Sequence, residues 1–514
     1  MASELAKLLP QRTSVIVMAL ANRWLVLAIV SSALLLIVID MTVLYTALPR
    51  LTHDLGASAT EKLWIVNAYP LVVAGLVPGL GTLGDRLGHR KLFIGGLVVF
   101  GLASLVAAYA WAPSILIAAR VLLAIGAAMM MPATLSIIRL TFIDERERSL
   151  AIGIWAAVAS GGAAFGPIVG GLVLEYFWWG SVFLINVPIV LVALVLGGFV
   201  IPASGGRTDR PWDLIASLQI LTGLVGVVYA IKELSKPVSS SGSVAAASLI
   251  GVVALVLFVR RQNGSAHPLI DFTLFRDRRF SAGVATALIA SLALVGVELV
   301  VSQRLQLVLG LSPLEAGLFI LPIPLAAFIG GPLTGIALPR WDGEAILWSA
   351  ILVAAIGLAG YLFLHDAAEI YQVASLAGLG IGAGAAMTAA SSMIMLSAPA
   401  DRAGMAASVE EVSYELGGSL GIAILGSLMS AVYSASLILP VSLGASDIAY
   451  DGLDQALMVA EQLQGPTAED LRALARSAFD RAFVVVIGVA TAILFATALF
   501  LRLSAGRART LGWR

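Results

Sequence analysis

The sequence predicts an all-α polytopic membrane protein with fourteen transmembrane helices. Three observations predict it. First, 60% of the 514 residues are hydrophobic, 12% are charged and the mean hydropathy is +0.98, whereas soluble domains carry about 25% charged residues. No soluble fold buries that much apolar surface, so lipid must be the solvent for most of it. Second, the apolar residues come in runs of about 20 without period-two alternation. As helices, such runs are long enough to cross a bilayer and satisfy their own backbone groups. Third, a few acids stand inside these runs: Asp40, Glu298, Glu410, Glu411 and Glu415. An ionised carboxylate in hydrocarbon costs at least about 2.5–3.5 kcal/mol, so residues of this kind point to the handling of protons or cations.

The spans are expected at 23–49, 61–83, 91–110, 114–138, 149–174, 180–201, 212–231, 243–261, 280–303, 313–338, 344–364, 370–396, 403–433 and 480–503. An even number puts both termini on one side. Of the 31 lysines and arginines, 22 fall on that side, eight fall on the other, and Arg120 lies inside a span. By the positive-inside rule both termini are cytoplasmic, and a bacterial inner membrane is the expected location. No cleavable signal is read in the first twenty residues, so the first span serves as an uncleaved insertion signal.

Two connections are long. Residues 262–279 form a basic link on the cytoplasmic side. Residues 434–479 form an outer loop with a helical pattern of its own, broken at Gly465-Pro466. Thr467 and Asp470 stand at capping-box spacing before Leu471, Leu474 and Ala478, so a helical hairpin is expected over the outer face. Its acids could attract cations or simply be solvated.

Several classes of function are excluded or unsupported. The chain has no cysteine, hence no disulfide or thiolate metal site. The four histidines lie near expected loops and form no metal-ligand cluster. No phosphate-binding G-x4-GK[ST] loop occurs, and no soluble catalytic or signalling domain is seen, so neither an enzyme nor a sensor is expected. No cofactor and no nucleic-acid partner are expected.

Four stretches carry more specific signals. GTLGDRLGHRK at 81–91 joins the second and third spans. Its glycines, Gly88 among them, allow a tight turn, Asp85 and Arg86 supply a charge pair at the membrane edge, and Arg90 adds positive charge. LIAARVLLAIGAAMMMP at 116–132 puts Arg120 in the fourth span, where it needs an acidic or carbonyl partner unless it reaches an interface. GAAFGPIVGG at 162–171 sets Gly162, Gly166 and Gly170 on one nearly flat helix face, with Pro167 to bend the helix. AASVEEVSYELGG at 406–418 puts Glu411 and Glu415 on one face, with Glu410 rotated by about 100°.

The first three of these, in these positions, resemble the signatures of the major facilitator superfamily. Together with WGSVFLINVP at 179–188, they resemble its fourteen-helix drug:proton antiporter (DHA2) family, in particular its quaternary-ammonium and methyl-viologen efflux pumps. The resemblance covers nearly the whole chain. It implies a six-helix bundle at 1–201, two inserted helices with their linkers at 202–279, and a second six-helix bundle at 280–514, around a cavity that opens alternately to each side. It implies a monomer in the bilayer that exchanges protons for small cationic substrates. Asp85, Arg86, Gly88 and Arg90 would shape the inner gate, and Gly162, Gly166, Pro167 and Gly170 the sliding interface.

The resemblance also assigns the acids. Asp40, in IDMTVLYTALP, matches an acid of similar pumps and reads as a proton or cation site. Glu410, Glu411 and Glu415 match an acidic pair followed by a third acid. Like charges so close do not all ionise cheaply in low dielectric, so an arriving drug cation would favour ionisation and expel a proton. An ion pair with Arg402 remains the alternative for Glu410. Glu298 is shared by one branch of these pumps, with pairing to Arg304 as its alternative. Asn67, and the region near Ala327, lack acids that another branch carries, which places divalent-cation handling in question or shifts it to Glu298. Trp64, Tyr69, Trp155, Tyr229 and Tyr414 offer aromatic faces to cations; Tyr69 and Tyr414, beside polar positions, are the expected cavity aromatics. A transporter of the same fold for a metabolite, lipid or siderophore remains the alternative function.

Overall fold

The computed structural model describes residues 2–202, 212–234, 240–399, 402–439, 447–463 and 465–510. Their regular structure is helical throughout: α1 Ala2–Leu55, α2 Ala59–Leu87, α3 His89–Ala108, α4 Pro113–Thr141, α5 Glu145–Tyr176, α6 Ser181–Val200, α7 Leu214–Leu234, α8 Ser241–Asn263, α9 Arg278–Val308, α10 Pro313–Ala337, α11 Gly343–Leu364, α12 Glu369–Ser397, α13 Ala403–Ser436, α14 Leu453–Gln462 and α15 Pro466–Thr510. Thirteen of them are long and apolar enough to cross a membrane. The 32-residue α5 occupies the place of the expected fifth span.

Local sequence sets the ends of these helices. Ser58 and Glu61 form a reciprocal capping box that starts α2. Ser312 and Glu315 do the same for α10, with Pro313 pre-set at its first turn. Asp277 accepts from the backbone N–H groups of Arg279 and Phe280 at the start of α9. Between α2 and α3 the chain turns at Gly88, whose φ of 95° is open to glycine and costly for other residues.

Helices α1–α6 pack on one another, as do α9–α13 with α15. Small residues let the backbones approach. A β-carbon on Gly126 of α4 would lie 2.9 Å from the Gly96 carbonyl of α3. The two groups meet along α2–α13 and α5–α10. Helix α7 lies against both α2 and α13, while α8 packs chiefly on α7, where a β-carbon on Gly226 would lie 2.7 Å from the Gly251 Cα.

The proximal end carries the α2–α3 turn and the α8–α9 linker; the distal end carries the start of α2 and α14. The linker is fastened down. Leu269, Ile270 and Leu274 are buried, and Phe258, Phe272, Phe275 and Phe280 form a run of ring contacts. Asp271 accepts from Arg402 at the start of α13 and from the Thr273 hydroxyl at 2.7 Å. At the distal end the chain folds back at Gly465, with φ of 69°. α15 then runs as one 45-residue helix, so the second arm of the expected hairpin is the overhang of the last span.

Candidate functional site

Two cavities lie between the helix groups. The smaller, about 90 Å³, is lined by Met41, Tyr45, Arg120, Ser291, Tyr414 and Glu415 among others. The larger, about 530 Å³, lies at the proximal end; Asp85, His89, Arg139, Trp155, His267, Asp271, Arg402 and Glu411 are among its lining residues. The i, i+4 spacing on α13 thus sets Glu411 on one cavity and Glu415 on the other. One carboxylate oxygen of Glu415, Oε2, is buried without a hydrogen-bond partner among the described residues. Glu410, rotated away, lies beside Ser391 of α12 and Tyr414. The Tyr414 hydroxyl donates to the Met387 carbonyl at 3.1 Å, and its own carbonyl accepts from Ser291 at 2.7 Å. Arg402 is engaged by Asp271 rather than by Glu410.

Asp40 and Arg120 find each other. Both are 1% exposed, and the guanidinium donates to Asp40 Oδ2 and, through Nε, to the Ile65 carbonyl at 3.3 Å. It also lies 4.7 Å from the centre of the Tyr69 ring. Asn186 Nδ2 donates to the other Asp40 oxygen at 3.3 Å. The acid read as a proton or cation site is therefore charge-paired in this state, and Arg120 is buried rather than reaching an interface. Asn67 and the Tyr69 hydroxyl are buried without partners among the described residues.

Glu298 is half-buried and makes no ion pair among the described residues. It lies one turn before Ser302, whose hydroxyl donates to the Tyr45 carbonyl of α1 at 2.9 Å. Arg304, the alternative partner, instead pairs with Asp366 at 2.8 Å and Asp480 at 2.9 Å.

The two glycine motifs take different contacts from those expected. Asp85 pairs with His89, at 3.2 Å, while Arg86 makes no ion pair with it. Arg90 donates to the Gly198 carbonyl of α6. On α5, the face of Gly162, Gly166 and Gly170 packs on Leu35, Thr42 and Val43 of α1, within the same helix group. The contact with the other group is one residue round the helix. A β-carbon on Gly171 would lie 2.5 Å from the Leu314 Cα of α10, and one on Gly317 would lie 2.5 Å from the Pro167 carbonyl.

Above the small cavity the distal end is closed. Lys62 pairs with Asp454 of α14 at 2.9 Å and donates to Gln303 of α9 at 3.2 Å. Gln306 donates to the Thr46 carbonyl at 3.1 Å. Among the described residues no group of three or more His, Asp or Glu is placed to hold a metal.

The model of the Major Facilitator Superfamily matches residues 30–422, from the first span into α13. The chain belongs to the major facilitator superfamily. It is 42% identical over 491 residues to the methyl viologen resistance protein SmvA of Salmonella typhimurium, covering 95% of this chain and 99% of that one. It is 39% identical over 478 residues to the multidrug efflux pump LfrA of Mycolicibacterium smegmatis, covering 92% and 95%. The fold agrees with a solved bacterial homologue of the lysosomal transporter Spinster, in an inward-facing and unoccupied conformation, at a TM-score of 0.64 and 16% identity over 93% of this chain and 97% of that one. The chain is thus a multi-pass membrane transporter of a bacterial efflux family, not an enzyme.

Sequence reasoning missed several superfamily-fold contacts. Lys62, at the edge of the second expected span, and Asp454, in the outer loop, are both buried. The contacts of Asn186, Gln303, Gly171 and Gly317 have no local signature in the sequence. The one available signal was a lysine directly preceding the apolar run of the second span.

Proposed function

We propose that the chain is a proton-coupled multidrug efflux antiporter of the DHA2 type. It would export lipophilic and quaternary-ammonium cations by alternating access, as a monomer in the bacterial inner membrane with both termini cytoplasmic. The excess of lysine and arginine at the proximal side supports that orientation. The observation that carries the function is the position of Glu411 and Glu415, one helical turn apart on α13, each lining one of two cavities between the helix groups. The similarity to a methyl viologen resistance protein and to a multidrug efflux pump supports the substrate class.

In this mechanism a cation enters the larger cavity from the proximal end and meets Glu411. Its charge favours the ionised carboxylates, so a proton leaves as the cation arrives. Glu415 accepts that exchange deeper in the protein, where Arg120 is the nearby fixed charge. Glu298 and Glu410 flank this axis on α9 and α13, and Asp40 holds Arg120 in place. Asp85, Arg86, Gly88 and Arg90 would govern the proximal gate. Pro167, with the Gly162–Gly166–Gly170 face seating α5 on α1, would govern movement against α10. Rocking of the two groups about the site would then expose it distally.

The test is proton release from purified protein on adding ethidium or methyl viologen, together with dye uptake into proteoliposomes after a pH jump. Wild type should release protons and move ethidium, and Glu411→Gln or Glu415→Gln should abolish both. Proton release unaffected by either change, or absent in wild type, would count against this function and favour a metabolite, lipid or siderophore.

A further inference from the structure

Five aromatic side chains stand near polar positions of the spans, and their surroundings separate them. Tyr69 is fully buried, and its ring already faces the Arg120 guanidinium. Trp64 carries the Lys232 ammonium 4.1 Å from its ring centre, and Tyr229 leans on Trp64 at 6.3 Å. Tyr414 lines the cavity of about 90 Å³, too small for a drug-sized molecule, which takes about 300–1,000 Å³. Trp155 of α5 lines the cavity of about 530 Å³. Its indole Nε1 is buried without a hydrogen-bond partner among the described residues, although a buried indole N–H normally has one. Met131 and Met405 line the same cavity, as does the Glu411 carboxylate. Thioethers adapt to ligands of different outline, and a carboxylate supplies the opposite charge.

We propose that Trp155 is the specificity-determining aromatic of the larger cavity, seating the positive centre of a lipophilic aromatic cation on its ring. The substrate class is taken from the transport function proposed above. Two features act together here: an indole ring that carries no internal cation among the described residues, and an acid in the same chamber. The ring attracts cations through its quadrupole, so the site favours a cation over a neutral molecule of equal size. This assigns to Trp155 the role that the sequence suggested for Tyr69 and Tyr414.

The experiment measures binding of ethidium, and of the uncharged dye N-phenyl-1-naphthylamine, to the purified full-length protein, with proton release on ethidium addition recorded in parallel. Trp155→Leu should weaken ethidium about 10-fold and leave the neutral dye within about two-fold. Trp155→Phe should recover most of the loss. A protein carrying 5,7-difluorotryptophan at position 155, unchanged in shape, should also bind ethidium more weakly, which covers the case of a misfolded leucine variant. Ethidium binding unchanged in the leucine and fluorinated proteins would overturn the proposal, as would equal losses for both dyes. Proton release intact with Trp155→Leu binding as wild type removes the aromatic site and keeps the antiporter. Selective loss of ethidium without any proton release in wild type keeps the site and removes the antiporter.

Discussion

The two ends of the molecule are built differently. At the distal end the helix groups are zipped: Lys62 reaches Asp454 and Gln303, Ser302 and Gln306 reach backbone carbonyls of α1, and α5 touches α10 through glycines. At the proximal end the same groups part around a cavity of about 530 Å³ lined by ionisable side chains. The closed end is held by a few specific bonds that a rocking motion would have to break together. The open end is held by the linker and by small-residue packing within each group. Alternation therefore turns on a small set of distal contacts, and these can be removed one at a time.

The largest effect is expected between the ends. Arg120→Leu strands Asp40 as a buried charge, which costs about 3–5 kcal/mol. It should lower the thermal unfolding midpoint in detergent sharply without opening either end, and Arg120→Leu/Asp40→Leu should regain part of the loss. If Arg120→Leu were as stable as wild type, the central pair would contribute nothing to either end. Next comes the distal lock. The side chains of Lys62 and Asp454 are 11% and 4% exposed, so Lys62→Met should approach the same cost, here spent on distal closure. The chain has no cysteine, so Leu44→Cys, on the small cavity beneath that end, gives a thiol probe that leaves the distal bonds in place. Its labelling should rise at least about 10-fold in Lys62→Met and return toward wild type in Lys62→Met/Asp454→Leu. Labelling that stays flat would mean that the lock does not hold the distal end shut.

A smaller step tests the glycine contact. Gly317→Ala places a methyl 2.5 Å from the Pro167 carbonyl, and overpacking of this kind costs about 1–3 kcal/mol. Leu44→Cys labelling should rise and ethidium export should slow. Gly162→Ala, which meets side chains of α1 at 3.1–3.3 Å within the same helix group, should leave labelling near wild type. The reverse order would return the sliding contact to the Gly162 face.

The helices and the acids within them are legible because each is a local property of the chain, while thirteen helices among the described residues, against fourteen expected spans, are long and apolar enough to cross a membrane. A charge in an apolar run stands out, and the 100° step per residue correctly separates Glu410 from Glu411. Partnerships were not legible. Arg120 needed an acid, but that Asp40 supplies it depends on α1 and α4 meeting 80 residues apart in sequence. Lys62 stands at the edge of its span, and nothing local points to its partner, Asp454, 392 residues away. The glycine pattern in α5 shows a smooth face without saying which helix covers it, and Gly171, which closes the motif, gives no local sign that it meets α10. Which aromatic faces the large cavity could not be read either, because Tyr69 owes its cation to tertiary packing.

The smallest effect concerns the linker at the open end. Asp271 titrates below the usual carboxylate range, first through its bonds from Thr273 and then through Arg402. A depressed native value means that the attachment is fully present above about pH 4, where the unfolded carboxyl ionises, and is lost as pH falls through the lower native value. Between pH 5 and 8 the linker should therefore stay fastened to α13, and any transport pH dependence in that range must come from other groups. The Asp271–Arg402 pair is partly exposed, with Arg402 41% accessible, so its contribution is small. In an Ala266→Cys background, Asp271→Asn should raise thiol labelling about two- to five-fold at pH 7. Arg402→Gln should do less, because the Thr273 bonds remain. A labelling change that tracks pH between 5 and 8 in wild type would show that the open end is governed by a group other than this carboxylate.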